Sequence, residues 1–485
     1  MRHFQLRSWR ILLPLLLLLV GIFSLQIFWA DRITTSINET SSRGSHGLLR
    51  VGSPDLERQA SAHSPYGPGF EIELVSSFCS GVATTPQWVV VADKATGLAM
   101  LEHGEIDLLV GFWDNENTEN KPDSTKNESP IAKGKAYAHF TPMRISSTAG
   151  ASVDDGKAKG EDTPEAQRDS STRTLSEQVF SGLLGNFGDA PDSTGTEWPF
   201  PVFSLVENGL DIARNAVLLD PASYALWLPF MGEVTSKKIG RQTPFRWFWR
   251  NDASPLATQL GVFWEDPART VEIAELTERY FGFLPKKPRA VEILELADVL
   301  AAQLHKYESF ILKAAKETGV PPLLLVAIIY QESRFDPDAV SQTRVRGIMQ
   351  LTTATADMLG VDRKDPEQCI MGGARYMRDL WNQVGDKANN DWDRWFMALA
   401  AYNQGMSNLN RTIRLAQNMG KKGDSWADLK HVFPLSTTCR GIEAKSFVER
   451  VRYYNFILHG LVAIAPAETQ DFAPLLGLAV ADAEI

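Results

Sequence analysis

Val326-Ala-Ile-Ile-Tyr330-Gln331-Glu332-Ser333-Arg334-Phe335, followed by Arg346-Gly347-Ile348-Met349-Gln350, is the stretch on which the fold turns. Pro321 and Pro322 suit the first turn of a helix. From Leu323 to Gln331 that helix is apolar on every side, as a central core helix is. A single carboxylate, Glu332, ends it. Partial negative charge at a helix C-terminus and apolar neighbours both disfavour the ionised form and raise its pKa. A carboxyl kept protonated near neutral pH is what a general acid for glycosidic cleavage needs. Taken alone, the pattern has a plainer origin, an exposed Glu at a frayed helix end. After a polar turn, Gly347 is expected to open a second helical pattern.

The surroundings of Glu332 change that balance. Upstream, Ala290–Gly319 carries apolar positions at helical period, and Gly319 stops the run. Downstream come Glu332-Ser333-x-Phe335-x-Pro337-x-Ala339-x-Ser341, Gly347-Ile348-Met349-Gln350-Leu351-Thr352-x-x-Thr355-Ala356, Gly372-Gly373-x-x-Tyr376-Met377, Ala398-Leu399-Ala400-Ala401-Tyr402-Asn403-Gln404-Gly405 and Glu443-Ala-Lys-Ser-Phe447-Val448. This series resembles the lysozyme-like domain of soluble-type lytic transglycosylases, and the resemblance spans residues 310–460. It implies Glu332 as catalytic acid, then base. It implies Ser341, Gln350 and Tyr402 as holders of the sugar N-acetyl groups, Asn403 as a loop brace beside them, and Glu443 as a glycan contact or a support for the fold. For each polar residue a cap or core hydrogen bond is the structural alternative.

Most glycosidases use two carboxylates, and this series offers one; Asp336 and Asp338 flank Pro337 in a turn, and the family assigns them no role. The resemblance implies a lytic transglycosylase that cleaves the MurNAc–GlcNAc β-1,4 bond of peptidoglycan and closes a 1,6-anhydro ring. It implies no metal and no cofactor. Two rival readings stay open: a lysozyme-type muramidase, and a non-catalytic glycan-binding sensor or scaffold.

Earlier in the chain, strands alternate with helices, which implies a parallel sheet. Leu48–Ser53, Trp88–Ala92 and Gly104–Gly111 read as strands; Phe70–Phe78 and Thr96–Glu102 read as helices. Gly69-Phe70-Glu71-Ile72-Glu73-Leu74 and Leu101-Glu-His-Gly104-Glu-Ile106-Asp107 resemble segments of the solute-binding domains of amino-acid transport systems. The pattern then fails. Residues 114–197 are polar and read as a disordered insertion, with a short helix at Leu175–Leu184. Leu205–Leu219 reads as helix, Tyr224–Phe230 and Phe245–Trp249 as strands, Asp252–Leu256 as a helix start and Thr270–Gly282 as a terminal helix. The aromatic run either lines a cleft or, more commonly, packs its sheet against helices. The family's ligand-gripping arginine is not recognisable, which favours a scaffold over a site for a small ligand or muropeptide.

The expected organisation is therefore multidomain: an α/β periplasmic-binding-protein-like domain at 48–285, carrying the insertion, and a mostly α-helical lysozyme-like transglycosylase domain at 290–466. A tail at 467–485 is uninformative. Arg2, Arg7 and Arg10 precede an apolar run that ends at Ala30. At about 20 residues the run is long enough for a bilayer core. Residues 1–30 thus read as a signal anchor or signal peptide, and 31–47 as a tether. Either outcome places the body on the periplasmic side of the cell envelope, membrane-associated, anchored in the inner membrane or peripheral at the outer membrane if the signal is cleaved.

Composition adds exclusions. A chain of 485 residues with net charge −10 offers no basic surface for nucleic acid. The three cysteines, Cys79, Cys369 and Cys439, form no zinc-like cluster. Cys369 and Cys439 could pair in an oxidising compartment or stay as buried thiols.

Overall fold

The computed structural model describes residues 47–54, 64–113, 130–140, 143–147, 216–219, 234–238, 243–252, 254–285, 289–341, 345–436, 440–464 and 473–483. The N-terminal apolar run, the Leu175–Leu184 helix, the Tyr224–Phe230 strand and Cys439 lie outside them. Among the described residues no helix is long and apolar enough to cross a membrane.

The first region opens as β1 (Leu48–Ser53), α1 (Phe70–Val82), β2 (Thr85–Val90), α2 (Lys94–Glu102) and β3 (Leu108–Trp113). Short strands follow: β4 (Ile131–Lys133), β5 (Ala138–Phe140), β6 (Met143–Ser147), β7 (Ala216–Leu219) and β8 (Val234–Lys238). The region ends with β9 (Thr243–Arg250), α3 (Pro255–Glu265) and α4 (Pro267–Phe281). β1 lies between β2 and β3 and runs parallel to both. β9 adds to β3 antiparallel and carries β4 and β5, giving the order β2-β1-β3-β9-β4. β6, β7 and β8 form a separate three-stranded sheet.

Strand side chains alternate between faces, and both faces of the main sheet are covered. Val51, Leu108, Val110, Trp247 and Trp249 join a core with Phe78, Phe263 and Trp264, while Leu109, Phe112 and Phe248 pack with Leu101 of α2. The aromatic run of β9 is thus packing material. Glu71 is buried in the first core, where it accepts hydrogen bonds from Tyr137 Oη and Trp247 Nε1. Burial pushes its carboxyl up to about 7.

Two expectations fail here. Part of the polar insertion, 131–133, 138–140 and 143–147, is strand. Ile131, Ala132 and Tyr137 are a short apolar seam that averages out among polar flanks, and β9 supplies a partner for its backbone. Within Leu205–Leu219, Ala216–Leu219 is strand β7, not helix, paired antiparallel to β6.

The second region is helical: α5 (Ala290–Thr318), α6 (Pro322–Ser333), α7 (Thr353–Leu359), α8 (Pro366–Val384), α9 (Asp391–Gln404), α10 (Met406–Asn418), α11 (Trp426–Val432), α12 (Gly441–Ile464) and α13 (Ala473–Ala483). One continuous core runs through these helices, and α6 lies at its centre, buried from Pro322 to Tyr330. The tail, uninformative as sequence, forms α13, which packs on α5, α6 and α12.

Arg452, fully buried on α12, joins the two regions. It donates to Glu278 Oε1 (2.9 Å) and to the carbonyls of Glu278 (2.7 Å) and Arg279 (2.9 Å), which lie in the last turn of α4. Helix C-termini leave carbonyls unpaired; this guanidinium supplies a donor to Arg279 O and a second one to Glu278 O, which also accepts from Gly282 N (3.0 Å). Lys430 also pairs with Glu278, and Tyr66 Oη donates to Arg452 O (2.7 Å).

Candidate active site

Helix α6 delivers Glu332 to its C-terminal end. The apolar sequence leaves the helix no solvent face, so the end of the helix brings its one acid to the margin of the core. Burial pushes the Glu332 carboxyl up to about 8. Among the described residues it forms no hydrogen bond and no ion pair. The chain then turns sharply: Arg334 and Phe335 both have positive φ (54° and 64°), a left-handed conformation that costs non-glycine residues. Phe335 compensates by burying its ring beside Tyr307, with centroids 6.0 Å apart.

The segment after this turn is a compact loop and not the start of a helix, contrary to the reading of Gly347. Arg346 bridges to Val340 and to Leu351, and helical geometry resumes only at Thr353, where Thr352 caps α7. Gly347 has φ +85°, and a Cβ there would lie 1.9 Å from Arg363 O. The glycine therefore lets the loop lie against the chain before α8. Gly373 does the same from the opposite side, since a Cβ on it would meet Met349 Sδ at 2.3 Å.

The expected site residues occupy this loop and its borders. Gln350, itself at φ +48°, donates its side-chain amide to Ala339 O (3.0 Å) and Gly347 O (2.9 Å). Those bonds occupy the NH2 group and leave its carbonyl oxygen as an acceptor. Ser341 Oγ accepts from Val345 N (3.2 Å), closing the same loop. Tyr402 on α9 donates to Met349 O (2.9 Å) and stacks parallel to Phe447 of α12, centroids 6.2 Å apart. Burial first, then the charge of Glu332, holds the Tyr402 phenol well above its ordinary range, so it stays a donor. Asn403 Oδ1 accepts from Gln404 Nε2 (2.8 Å) where α9 ends. Glu443 is exposed in the first turn of α12 and paired with Arg440 at 3.2 Å. Its contacts tie it to its own helix start and not to the loop.

Two further residues bear on the loop: Ser333, to which sequence reasoning assigned no role of its own, and Cys369, read there as a disulfide partner or a buried thiol. Ser333 Oγ donates to Ile348 O (2.7 Å), which ties the end of α6 to the loop. Its place beside Glu332 in the motif was the available signal. Cys369, fully buried, sets its sulfur against the Ile348 and Met349 amides, and burial pushes the thiol up to about 11. It is a free thiol.

A lone, partly buried carboxyl at a helix end, facing a loop built on a Gly-x-Met-Gln turn and a tyrosine from another helix, coincides with a family match. Residues 309–424 match the Transglycosylase SLT domain, and the protein is of the lytic transglycosylase class. Over 444 residues the chain is 36% identical to membrane-bound lytic murein transglycosylase F 2 of Alkalilimnicola ehrlichii, covering 85% of this chain and 91% of that one. It is 27% identical to membrane-bound lytic murein transglycosylase F of Yersinia pestis, over 95% of this chain and 93% of that one. The chain belongs to the membrane-bound lytic murein transglycosylase F family. Among solved structures, a substrate-binding protein of an amino acid ABC transporter matches 49% of this chain and 100% of its own, at 9% identity and TM-score 0.28.

Proposed function

We propose that this lytic transglycosylase cuts the MurNAc–GlcNAc β-1,4 bond of peptidoglycan with Glu332 acting twice. As an acid, Glu332 gives its proton to the glycosidic oxygen while the bond from that oxygen to C1 of MurNAc breaks. The MurNAc N-acetyl oxygen stabilises the cationic C1. Glu332, now ionised, takes the proton from the C6 hydroxyl as O6 bonds to C1, which leaves a 1,6-anhydro end and an enzyme back in its starting protonation state. The observation that carries this reading is the partly buried, unpaired Glu332 carboxyl, pushed up to about 8 by desolvation and thus protonated near neutrality.

In this reading Gln350 offers its free carbonyl oxygen to an N-acetyl N–H, and Tyr402 and Ser341 hold the loop in which that oxygen sits. Asn403 braces the α9 terminus. Glu443 serves the fold, or glycan at the cleft edge. Residues 1–30 attach the enzyme to a membrane facing the periplasm, in keeping with the membrane-bound relatives. For residues 48–285 a scaffold role is favoured over small-ligand or muropeptide binding, because Glu71 is sealed by Tyr137 and Trp247, and Arg50 is engaged by Asp107.

The test is digestion of purified peptidoglycan by wild type and Glu332→Gln, with mass analysis of the products. The reading expects products one water lighter than hydrolysis would give, and far less of them from the variant. Reducing-end MurNAc would replace the anhydro mechanism with hydrolysis, and equal release by the two proteins would remove Glu332 from the chemistry.

A further inference from the structure

We propose that Asp482, near the end of the chain, is a positioning residue for Glu332: it caps the opposite end of the helix that carries the acid. This rests on the reading of Glu332 given above. Helix α6 begins without a cap of its own. Pro321 occupies the N-cap position with no side-chain bond to offer, and Pro322 follows it. Neither proline has an N–H, so Leu323 N is the first donor of the helix. Leu323 is fully buried, and a buried N–H without an acceptor is costly. Asp482 Oδ1 accepts from Leu323 N at 3.2 Å, across 159 residues of sequence. A carboxylate at a helix N-terminus is also favoured by the helix dipole.

The other Asp482 oxygen faces His459 Nε2 of α12 at 3.4 Å. A single carboxylate thus sits where α6, α12 and α13 meet. Leu475 and Leu478 of α13 are buried in the same core as α6 and hold the cap in place. A helix is stiff along its axis, and Glu332 lies roughly 14 Å from Leu323 at 1.5 Å per residue. A shift at the capped end therefore reaches the acid as a shift along α6, and a misplacement of about 1 Å at a reacting group can cost on the order of a hundredfold in rate. The tail, on this argument, belongs to the catalytic apparatus.

The experiment uses the full chain with Asp482→Ala, Asp482→Asn and Asp482→Glu, measuring kcat and KM on soluble uncrosslinked glycan strands and hydrogen exchange at the Leu323 amide. Asp482→Ala is expected to speed exchange at Leu323 and to lower kcat roughly three- to tenfold with KM unchanged. Asp482→Asn, whose oxygen still accepts, should keep most of kcat. Wild-type kcat in Asp482→Ala despite faster exchange would overturn the proposal, as would equal impairment in the Ala and Asn variants. Should Asp482→Ala fail to fold, Asp482→Glu decides: it keeps the charge but moves the cap, so lowered kcat at an unchanged melting temperature supports the proposal and unchanged kcat overturns it. Glu332→Gln runs alongside. If it retains the wild-type rate, the acid assignment fails by itself, whatever Leu323 shows.

Discussion

Glu332 makes two different demands on the molecule, and one substitution separates them. As the acid it should be indispensable: Glu332→Gln is expected to lower the cleavage rate roughly 100- to 10,000-fold. As a desolvated carboxyl without a partner it is a burden on stability when ionised. Its pKa rises from an ordinary 4.5 to about 8 on folding, so between these values the native state holds a proton that the unfolded chain has released. Stability from this group is full below 4.5 and is lost as pH rises through about 8. Glu71 and Asp393, raised by burial to about 7 and about 6, slope the same way, so the contrast with the variant isolates Glu332. Urea unfolding across this window should show a steeper decline for wild type than for Glu332→Gln, by at most about 1.4 kcal/mol per pH unit. Parallel curves would mean that the carboxyl is solvated and unshifted.

The elements around the acid were unequally legible in the sequence. Helix α6 announced itself through unbroken apolarity, and α1, α2, β1 and β9 through period and turn residues. The loop between α6 and α7 did not. Its shape depends on positive φ at Arg334, Phe335 and Gln350, and propensity assigns no such conformation to arginine, phenylalanine or glutamine. It is imposed by Ser333, Tyr402 and Gln350 bonding to loop carbonyls, which only the assembled fold brings together. The strands at 131–133 and 138–140 were hidden for a similar reason, since their partner β9 lies more than a hundred residues on. Gly347 is where the loop is least tolerant. Gly347→Ala combines a left-handed φ with a Cβ 1.9 Å from Arg363 O, so a loss of roughly 2 kcal/mol or more is expected. Thermal unfolding measures it, and activity should fall with it because Gln350 moves. Ser333→Ala removes the 2.7 Å bond to Ile348 O and the longer 3.3 Å contact with Ile329 O, and should cost about 1 kcal/mol.

At the scale of the whole molecule, Arg452 ties the two regions together. Nothing in the sequence of α12 marks Arg452 apart from its neighbours Arg450 and Lys445; burial against α4 alone distinguishes it. It stacks on Phe396, with 4.0 Å to the ring centroid, while its guanidinium serves Glu278 and two helix-end carbonyls. Arg452→Met keeps much of the apolar stem but leaves Glu278 buried with Lys430 as its remaining cation. Breaking a buried pair from one side costs roughly 3–5 kcal/mol, whereas replacing both partners with apolar groups is often close to neutral. Arg452→Met should therefore lower the unfolding midpoint strongly and bring the first region to unfold ahead of the helical one in calorimetry. Arg452→Met with Glu278→Leu should recover much of the loss, although Arg279 O loses its donor and Glu278 O keeps only Gly282 N, so the recovery is incomplete. Additive losses in the double variant would show that the arginine acts through the carbonyls and its ring contacts and not through the buried acid.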